Sequence, residues 1–227
     1  MSAPTKNIVF DWNSTLLDDI GALFDCQNIL MRSMGKPPIT IDYFRAHYDV
    51  PFERLYTNLG LTDAEIEKAM GLDKSIFHDH YEPMANVAGL REGAVEVLGH
   101  AQKHGVKSLI LSNHIVDPIR TQLRRLEIEH LFAEVLAYAT RKVQFRDMSK
   151  GERLRRFMQQ NGMAPHQTII VGDSVEEIEI AREQGLISVA ITGGCVSEER
   201  LRAANPDHII HSLHALKPIM QERGFVS

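Results

Sequence analysis

Residues 10–19 read FDWNSTLLDD and follow directly on an apolar run, Ile8-Val9-Phe10. An apolar run that ends abruptly in Asp11, Asn13 and Thr15 is the sequence form of a strand buried on both faces, with its polar groups emerging at the carboxyl end. In an open parallel sheet, that end is where a ligand site forms. The stretch therefore predicts both a fold and a site, with a carboxylate, an amide and a hydroxyl at alternate positions.

The rest of the chain repeats the pattern. Runs rich in Val and Ile recur at 106–113 (VKSLILSN), 132–138 (FAEVLAY), 168–173 (TIIVGD), 187–192 (ISVAIT) and 207–211 (DHIIH). Amphipathic stretches separate the later runs and carry helix-start signals. Asp117-Pro118 has the form of an N-cap followed by proline at the first helical position, while Ser149 with Glu152 and Ser174 with Glu177 have capping-box spacing. Gly105 and Gly185 stand where helices should stop. Strand alternating with helix predicts an α/β fold, a doubly wound Rossmann-like parallel sheet. Residues 20–85 break the rhythm: helical patterns cover 20–34 and 63–81, Thr62 has the spacing to cap with Glu65, and no strand is evident. The expected organisation is a core of 1–18 and 86–227, with a small helical cap domain, 19–85, inserted after the first strand. Such an insertion should stand over the carboxyl edge of the sheet as a lid.

Composition bounds the partners. The chain has 227 residues, a formal net charge of -5, 44% hydrophobic and 24% charged residues, which are the proportions of a globular protein. This charge argues against nucleic acid or an anionic membrane as partner, while local positive groups still allow a small anionic ligand. No apolar run reaches the 18 or so residues of a membrane span, and the opening MSAPTKN lacks a signal core, so the expected location is cytoplasmic. Cys26 and Cys195 lie far apart without metal-ligand spacing and are expected to be reduced thiols.

Parallel strands bring four distant segments to one edge: Asp11 with Asn13 and Thr15, Ser112 with Asn113, Lys150 at a helix start, and Asp173 with Glu177. These residue types suit phosphoryl transfer, which needs a nucleophile, a hard cation, donors for the phosphoryl oxygens and a positive charge. Asp11 can attack phosphorus to form an aspartyl-phosphate. Mg²⁺ held by Asp11 and Asp173 would offset repulsion between carboxylate and phosphate. Thr15, Ser112 and the backbone N–H of Asn113 would hold a small phosphorylated substrate, and Lys150 near a helix N-terminus would add charge. Glu177 has two readings, a metal ligand and the capping-box partner of Ser174.

These four motifs in order, DWNSTLLDD, LILSN, Lys150 in SKGERL and VGDSVEEIEIAREQG, resemble the haloacid dehalogenase superfamily, in particular its phosphoglycolate-phosphatase-like members with a helical cap after the first motif. The resemblance implies an Mg²⁺-dependent phosphatase with Asp11 as nucleophile and Asn13 contributing its backbone carbonyl to the metal. The sequence departs from the family at three points. Phosphatases of the family usually have aspartate at position 13, where it protonates the leaving group and then activates water. Both Lys142 and Lys150 are available as the third-motif lysine, and the place of Lys150 at a helix start favours it. Ser14 stands where glycine is usual.

Three other functional readings follow. DWNST is similar to the Asp-Trp-Ala-Gly-Thr start of phosphonoacetaldehyde hydrolases, whose C–P cleavage needs a Schiff-base lysine in the cap; Lys36, Lys68 and Lys74 are the candidates. A phosphate-ligand-binding protein that has lost catalysis would also explain the amide. A dehalogenase needs no divalent metal and leaves Asp173 unexplained. Secondary candidates for substrate contact are His114, the loop cations Arg141, Lys142 and Arg146, and the cap residues Arg45, His47, Tyr48 and Arg54. The run HDHY at 78–81 is expected to be solvated cap surface, because residues two apart do not share a helix face.

Overall fold

A computed structural model describes residues 5–70, 76–144 and 147–226. Strands β1 (Asn7–Phe10), β2 (Lys107–Ile115), β3 (Phe132–Tyr138), β4 (Thr168–Gly172), β5 (Ile187–Ile191) and β6 (His208–Ile210) form one parallel sheet in the order β3-β2-β1-β4-β5-β6. This is the doubly wound sheet that the apolar runs predict. The chain leaves β1 toward β2 and β3, then crosses back to β4 on the other side of β1. The switch point therefore lies between the carboxyl ends of β1 and β4, where Asp11 and Asp173 emerge.

Between β1 and the return to the core run α1 (Ile20–Ser33), α2 (Ile41–His47), α3 (Phe52–Asn58), α4 (Asp63–Ala69) and α5 (Ile76–Ala85). The pattern at 20–34 is α1, whereas that at 63–81 divides into α4 and α5. The capping box of Thr62 and Glu65 is formed at the start of α4. The helices α2 and α3 were not anticipated: at seven residues each, they hold too few turns to show a period.

The flanking helices are α6 (Ala94–Lys103), α7 (Val116–Arg125), α8 (Lys150–Asn161), α9 (Val175–Gln184), α10 (Glu198–Ala203) and α11 (Leu216–Glu222). Alternation along β1 assigns its side chains to two cores. Ile8 and Phe10 pack with α6, α7 and α11, while Val9 packs with α8 and α9. Each fully buried aliphatic side chain contributes roughly 1.5–3 kcal/mol, so both faces need cover. Ser149 caps α8, Ser174 and Glu177 form the capping box of α9, and Gly185 ends α9 at φ 72°. Helix α7 corrects the sequence reading: its N-cap is Ile115. Asp117 and Pro118 thus lie within its first turn, where a carboxylate suits the helix dipole and a missing N–H costs nothing.

The helical segment is anchored across the carboxyl edge of the sheet. Arg45 of α2 donates from Nε to the Gly194 carbonyl and from Nη2 to the Gly193 carbonyl, both at 2.9 Å. In return, Arg200 of α10 donates to the Tyr48 carbonyl at 2.5 Å. An aromatic ladder stiffens this region, with Phe24–Phe44, Phe44–Tyr48, Tyr48–Phe52 and Phe52–Tyr56 in tilted or edge contact. Among the described residues, no helix is long and apolar enough to cross a membrane. Cys26 and Cys195 are buried free thiols.

Candidate active site

The strand register brings the motifs together. Phe10 pairs with Ile110 of β2 and with Val171 of β4, so the residues just beyond, Asp11, Ser112 and Asp173, share one edge. They line a single cleft with Asn13, Asn113 and Lys150. Lys150 opens α8, and its ammonium is 3.0 Å from Asp11 Oδ1 and 3.9 Å from Glu176 Oε2, with Glu177 Oε1 in direct contact. Of the two candidate lysines, Lys150 is buried here, while Lys142 is exposed in the turn after β3.

Electrostatics at this edge are unbalanced. Lys150 faces Asp11, Glu176 and Glu177, and Asp173 adds a further buried carboxylate. Burial pushes the Asp11 carboxyl well up, opposed by Lys150 and reinforced by Glu177 and Asp173. Burial likewise raises Asp173 and Glu176. For Lys150, burial favours the neutral amine, but Asp11 and Glu177 outweigh it and hold the ammonium charged. An excess of buried carboxylate over cation is the condition that a hard divalent ion relieves. The donor set of Asp11 and Asp173, all oxygen, fits Mg²⁺.

Asp173 is held from both sides: Thr15 Oγ1 donates to Oδ1 at 2.9 Å, and the Cys195 N–H donates to Oδ2 at 2.6 Å. Thr15, expected to contact substrate, is fully buried with its hydroxyl donating to Asp173. The two oxygens of Glu177 are also engaged, Oε1 with Lys150 and Oε2 with Ser174 N–H and Oγ–H. Glu177 thus both caps α9 and orients Lys150. The loop carrying Cys195 can come this close only because residue 194 is glycine. A Cβ there would lie 2.2 Å from Asp173 Oδ2. Gly194→Ala is expected to push Asp173 from its place and, if Asp173 is a Mg²⁺ ligand, to weaken Mg²⁺ affinity by roughly 10–100-fold, as checked by metal titration, with circular dichroism to show that the fold is retained.

The polar groups that β2 brings to this edge are Ser112 and Asn113. Ser112 Oγ accepts from the His114 N–H at 3.1 Å and donates to Asn13 Oδ1 at 3.4 Å, a long contact that an incoming oxygen can replace. Asn113 Nδ2 donates to Glu176 Oε2 at 2.7 Å, and its carbonyl accepts from Gln144 Nε2 at 2.7 Å. Arg153 fixes the segment from behind by donating to the Ser112 and Met148 carbonyls, each at 2.8 Å, and its guanidinium lies 3.9 Å from the centre of the Tyr138 ring.

The amide of Asn13 has a structural partner set that the sequence did not reveal. Its Nδ2 donates to Asp19 Oδ2 at 2.8 Å and to the Tyr81 hydroxyl at 2.5 Å, and that hydroxyl donates to the same Asp19 carboxylate. Asp19 also accepts from Ser14 N–H at 2.6 Å and Ser14 Oγ–H at 3.2 Å. Ser14 adopts φ 56°, in the left-handed region, which accounts for glycine being usual there. Burial raises the Asp19 carboxyl, partly offset by Tyr81 and Asn13. The signal for Asp19 was present in the acidic pair that ends FDWNSTLLDD.

Tyr81 corrects the reading of HDHY: Asp79 and His80 are exposed, but Tyr81 is 2% exposed and lines the cleft. The side chain of His78 lies outside the described residues, as do Lys74 and Arg146. Other candidates disperse. Arg45 anchors α2, His47 stacks on Tyr43 with ring centres 4.0 Å apart, and Arg54 is exposed. Arg141 lies in the turn after β3 and is half-buried. Lys36 pairs with Glu65 at 3.2 Å and Lys68 is exposed, so neither meets the cleft. Tyr48 and His114 do line it.

The family model described as haloacid dehalogenase-like hydrolase matches residues 8–191. A phosphoglycolate phosphatase of Pseudomonas putida is 24% identical over 217 residues, covering 93% of this chain and 78% of that protein. One from Synechococcus elongatus is 24% identical over 219 residues, covering 95% and 99%. Among solved structures, a haloacid dehalogenase-like family hydrolase from Streptococcus pneumoniae superposes with a TM-score of 0.81 at 22% identity, covering 96% of this chain and 99% of that one. With the sheet order and the four motifs at one edge, these matches show that the chain belongs to the haloacid dehalogenase-like hydrolase family and is similar to its phosphoglycolate phosphatases.

Proposed function

We propose that the protein is an Mg²⁺-dependent phosphatase that takes a small phosphate monoester through an aspartyl-phosphate on Asp11. The observation that carries this reading is Asp11 at the switch point, beside a buried Lys150 and within an excess of buried carboxylate. The names of the relatives support the reaction class. Bound at Asp11, Asp173 and the carbonyl of Asn13, Mg²⁺ would supply the charge that lets an anionic phosphoryl group approach a carboxylate. Asp11 Oδ forms the bond to phosphorus as the ester oxygen departs with its electron pair. Ser112 Oγ–H and the Asn113 N–H hold the phosphoryl oxygens, and Lys150 stabilises the charge spread over them. Asn13 has no proton to give, so leaving groups that depart as stable anions are favoured.

Incubation with 4-nitrophenyl phosphate and Mg²⁺ is expected to release 4-nitrophenol, and rapid acid quenching should trap a phosphoryl adduct on the peptide that carries Asp11. Excess EDTA is expected to abolish both signals. No release and no adduct with Mg²⁺ present would refute the reading. A second reading, a phosphate-binding protein without turnover, is favoured by the engagement of Asn13 with Asp19 and Tyr81; it would give phosphonate binding by calorimetry with no adduct.

A further inference from the structure

Resting on the phosphatase reading, we propose that the substrate is a phosphate monoester whose leaving group is uncharged and aromatic, seated against the cap face formed by Leu23, Tyr48, Val50 and Phe52. These four side chains line the same cleft as Asp11, Ser112, Asn113 and Lys150. Tyr48 and Phe52 meet edge to face, with ring centres 6.4 Å apart and planes at 77°, inside the ladder that runs from Phe24 to Tyr56. The wall is therefore pre-organised, and a flat apolar group can extend it.

Charge on the other walls points the same way. Glu176 lines the cleft, and His114, which also lines it, has Nε2 3.2 Å from Glu82 Oε1. Among the described residues, three arginines around this edge hold backbone carbonyls: Arg45 those of Gly193 and Gly194, Arg91 those of Ser14 and Thr192, and Arg153 those of Ser112 and Met148. A carboxylate seated against the four apolar side chains would thus lose water there without gaining a cation, and Glu176 also faces the cleft. The inference agrees with Asn13: as the Asp11–phosphorus bond forms and the ester P–O bond breaks, an aryloxide leaves with the electron pair and takes its proton from solvent. It also separates this chain from relatives named for phosphoglycolate, whose leaving group carries a carboxylate.

The test uses two unhydrolysable probes with the same phosphoryl head, benzylphosphonate and phosphonoacetate, titrated calorimetrically into the full chain with Mg²⁺. Benzylphosphonate is expected to bind at least about tenfold more tightly, the scale of a favourable aromatic contact added to apolar burial. Phe52→Leu should reduce that ratio and Phe52→Ala should bring it near unity, while Val50→Arg should favour phosphonoacetate. Equal or tighter binding of phosphonoacetate to the unaltered protein would overturn the proposal, even if the adduct on Asp11 forms. Preference for benzylphosphonate without any adduct from phenyl phosphate would overturn the proposal as a statement about a substrate and refute the phosphatase reading, leaving the second reading, a binding protein.

Discussion

Replacing Asn13 with aspartate is expected to raise turnover of alkyl phosphates by roughly 10²–10⁴-fold, the usual contribution of a positioned acid or base, and that of aryl phosphates by less than about tenfold. The difference arises because an alkoxide must be protonated as it leaves, whereas an aryloxide need not be. The structure adds a constraint. Asn13 Nδ2 now satisfies the Asp19 carboxylate and the Tyr81 hydroxyl. A carboxylate in its place would face Asp19 at hydrogen-bond distance, and two such groups cannot both ionise. The pair is expected to share one proton, so the new side chain would be held protonated above the ordinary carboxylate range, as an acid catalyst requires. The gain should fall away as pH rises through the upper apparent pKa of the pair, because the proton to be donated is then lost. Steady-state rates on ethyl and 4-nitrophenyl phosphate, with phosphoenzyme trapping, decide the point. No gain on either ester would show that proton supply does not limit this site.

The residues legible in the sequence are those whose place follows from local position. Asp11, Ser112 and Asp173 end apolar strands, and Lys150 opens a helix whose cap, Ser149, is itself readable. A parallel sheet then places all four on one edge without further information. What escaped reading depends on tertiary approach. Tyr81 reaches Asn13 across 68 residues of sequence, and nothing in HDHY tells which of its four residues turns inward. Arg153 and Gln144 hold the Ser112-Asn113 segment through its backbone carbonyls, which leave no mark on residue type. The sequence marks Thr15 near this edge but not its partner Asp173, because a hydroxyl can equally face substrate or a carboxylate. The short helices α2 and α3, which carry or flank most of the aromatic ladder, lack the length for a periodic signal, so residues 20–85 are legible as helical while the ladder is not.

Lys150→Met is expected to be the most damaging single substitution for stability. Methionine nearly matches the length of lysine, so packing is retained and the effect isolates the charge. Removing the cation leaves Asp11, Glu176 and Glu177 facing one another without compensation, and breaking a buried ion pair from one side costs about 3–5 kcal/mol. For a domain of this size, that lowers Tm by about 10 °C. The pH dependence has a definite sign. Burial already raises Asp11 and Glu176, and the variant removes the Lys150 charge that opposes it, so the cost of ionising them is absent below about pH 4 and grows as pH rises toward their folded values. In the unaltered protein, the pKa of Lys150 is itself raised, so its contribution is fully present below the unfolded lysine value and is lost only as pH rises through the folded one, leaving it constant from pH 5 to about pH 9. Thermal melts at pH 5 and pH 8 should therefore show a larger deficit at pH 8, partly recovered by millimolar Mg²⁺, since a divalent ion at Asp11 and Asp173 offsets the same excess of negative charge. An unchanged Tm at pH 8 would mean that the carboxylate cluster is balanced without Lys150. Recovery of Tm by Mg²⁺ without recovery of the phosphoenzyme would separate the two roles of this lysine, neutralising the folded site and stabilising the phosphoryl group in transfer.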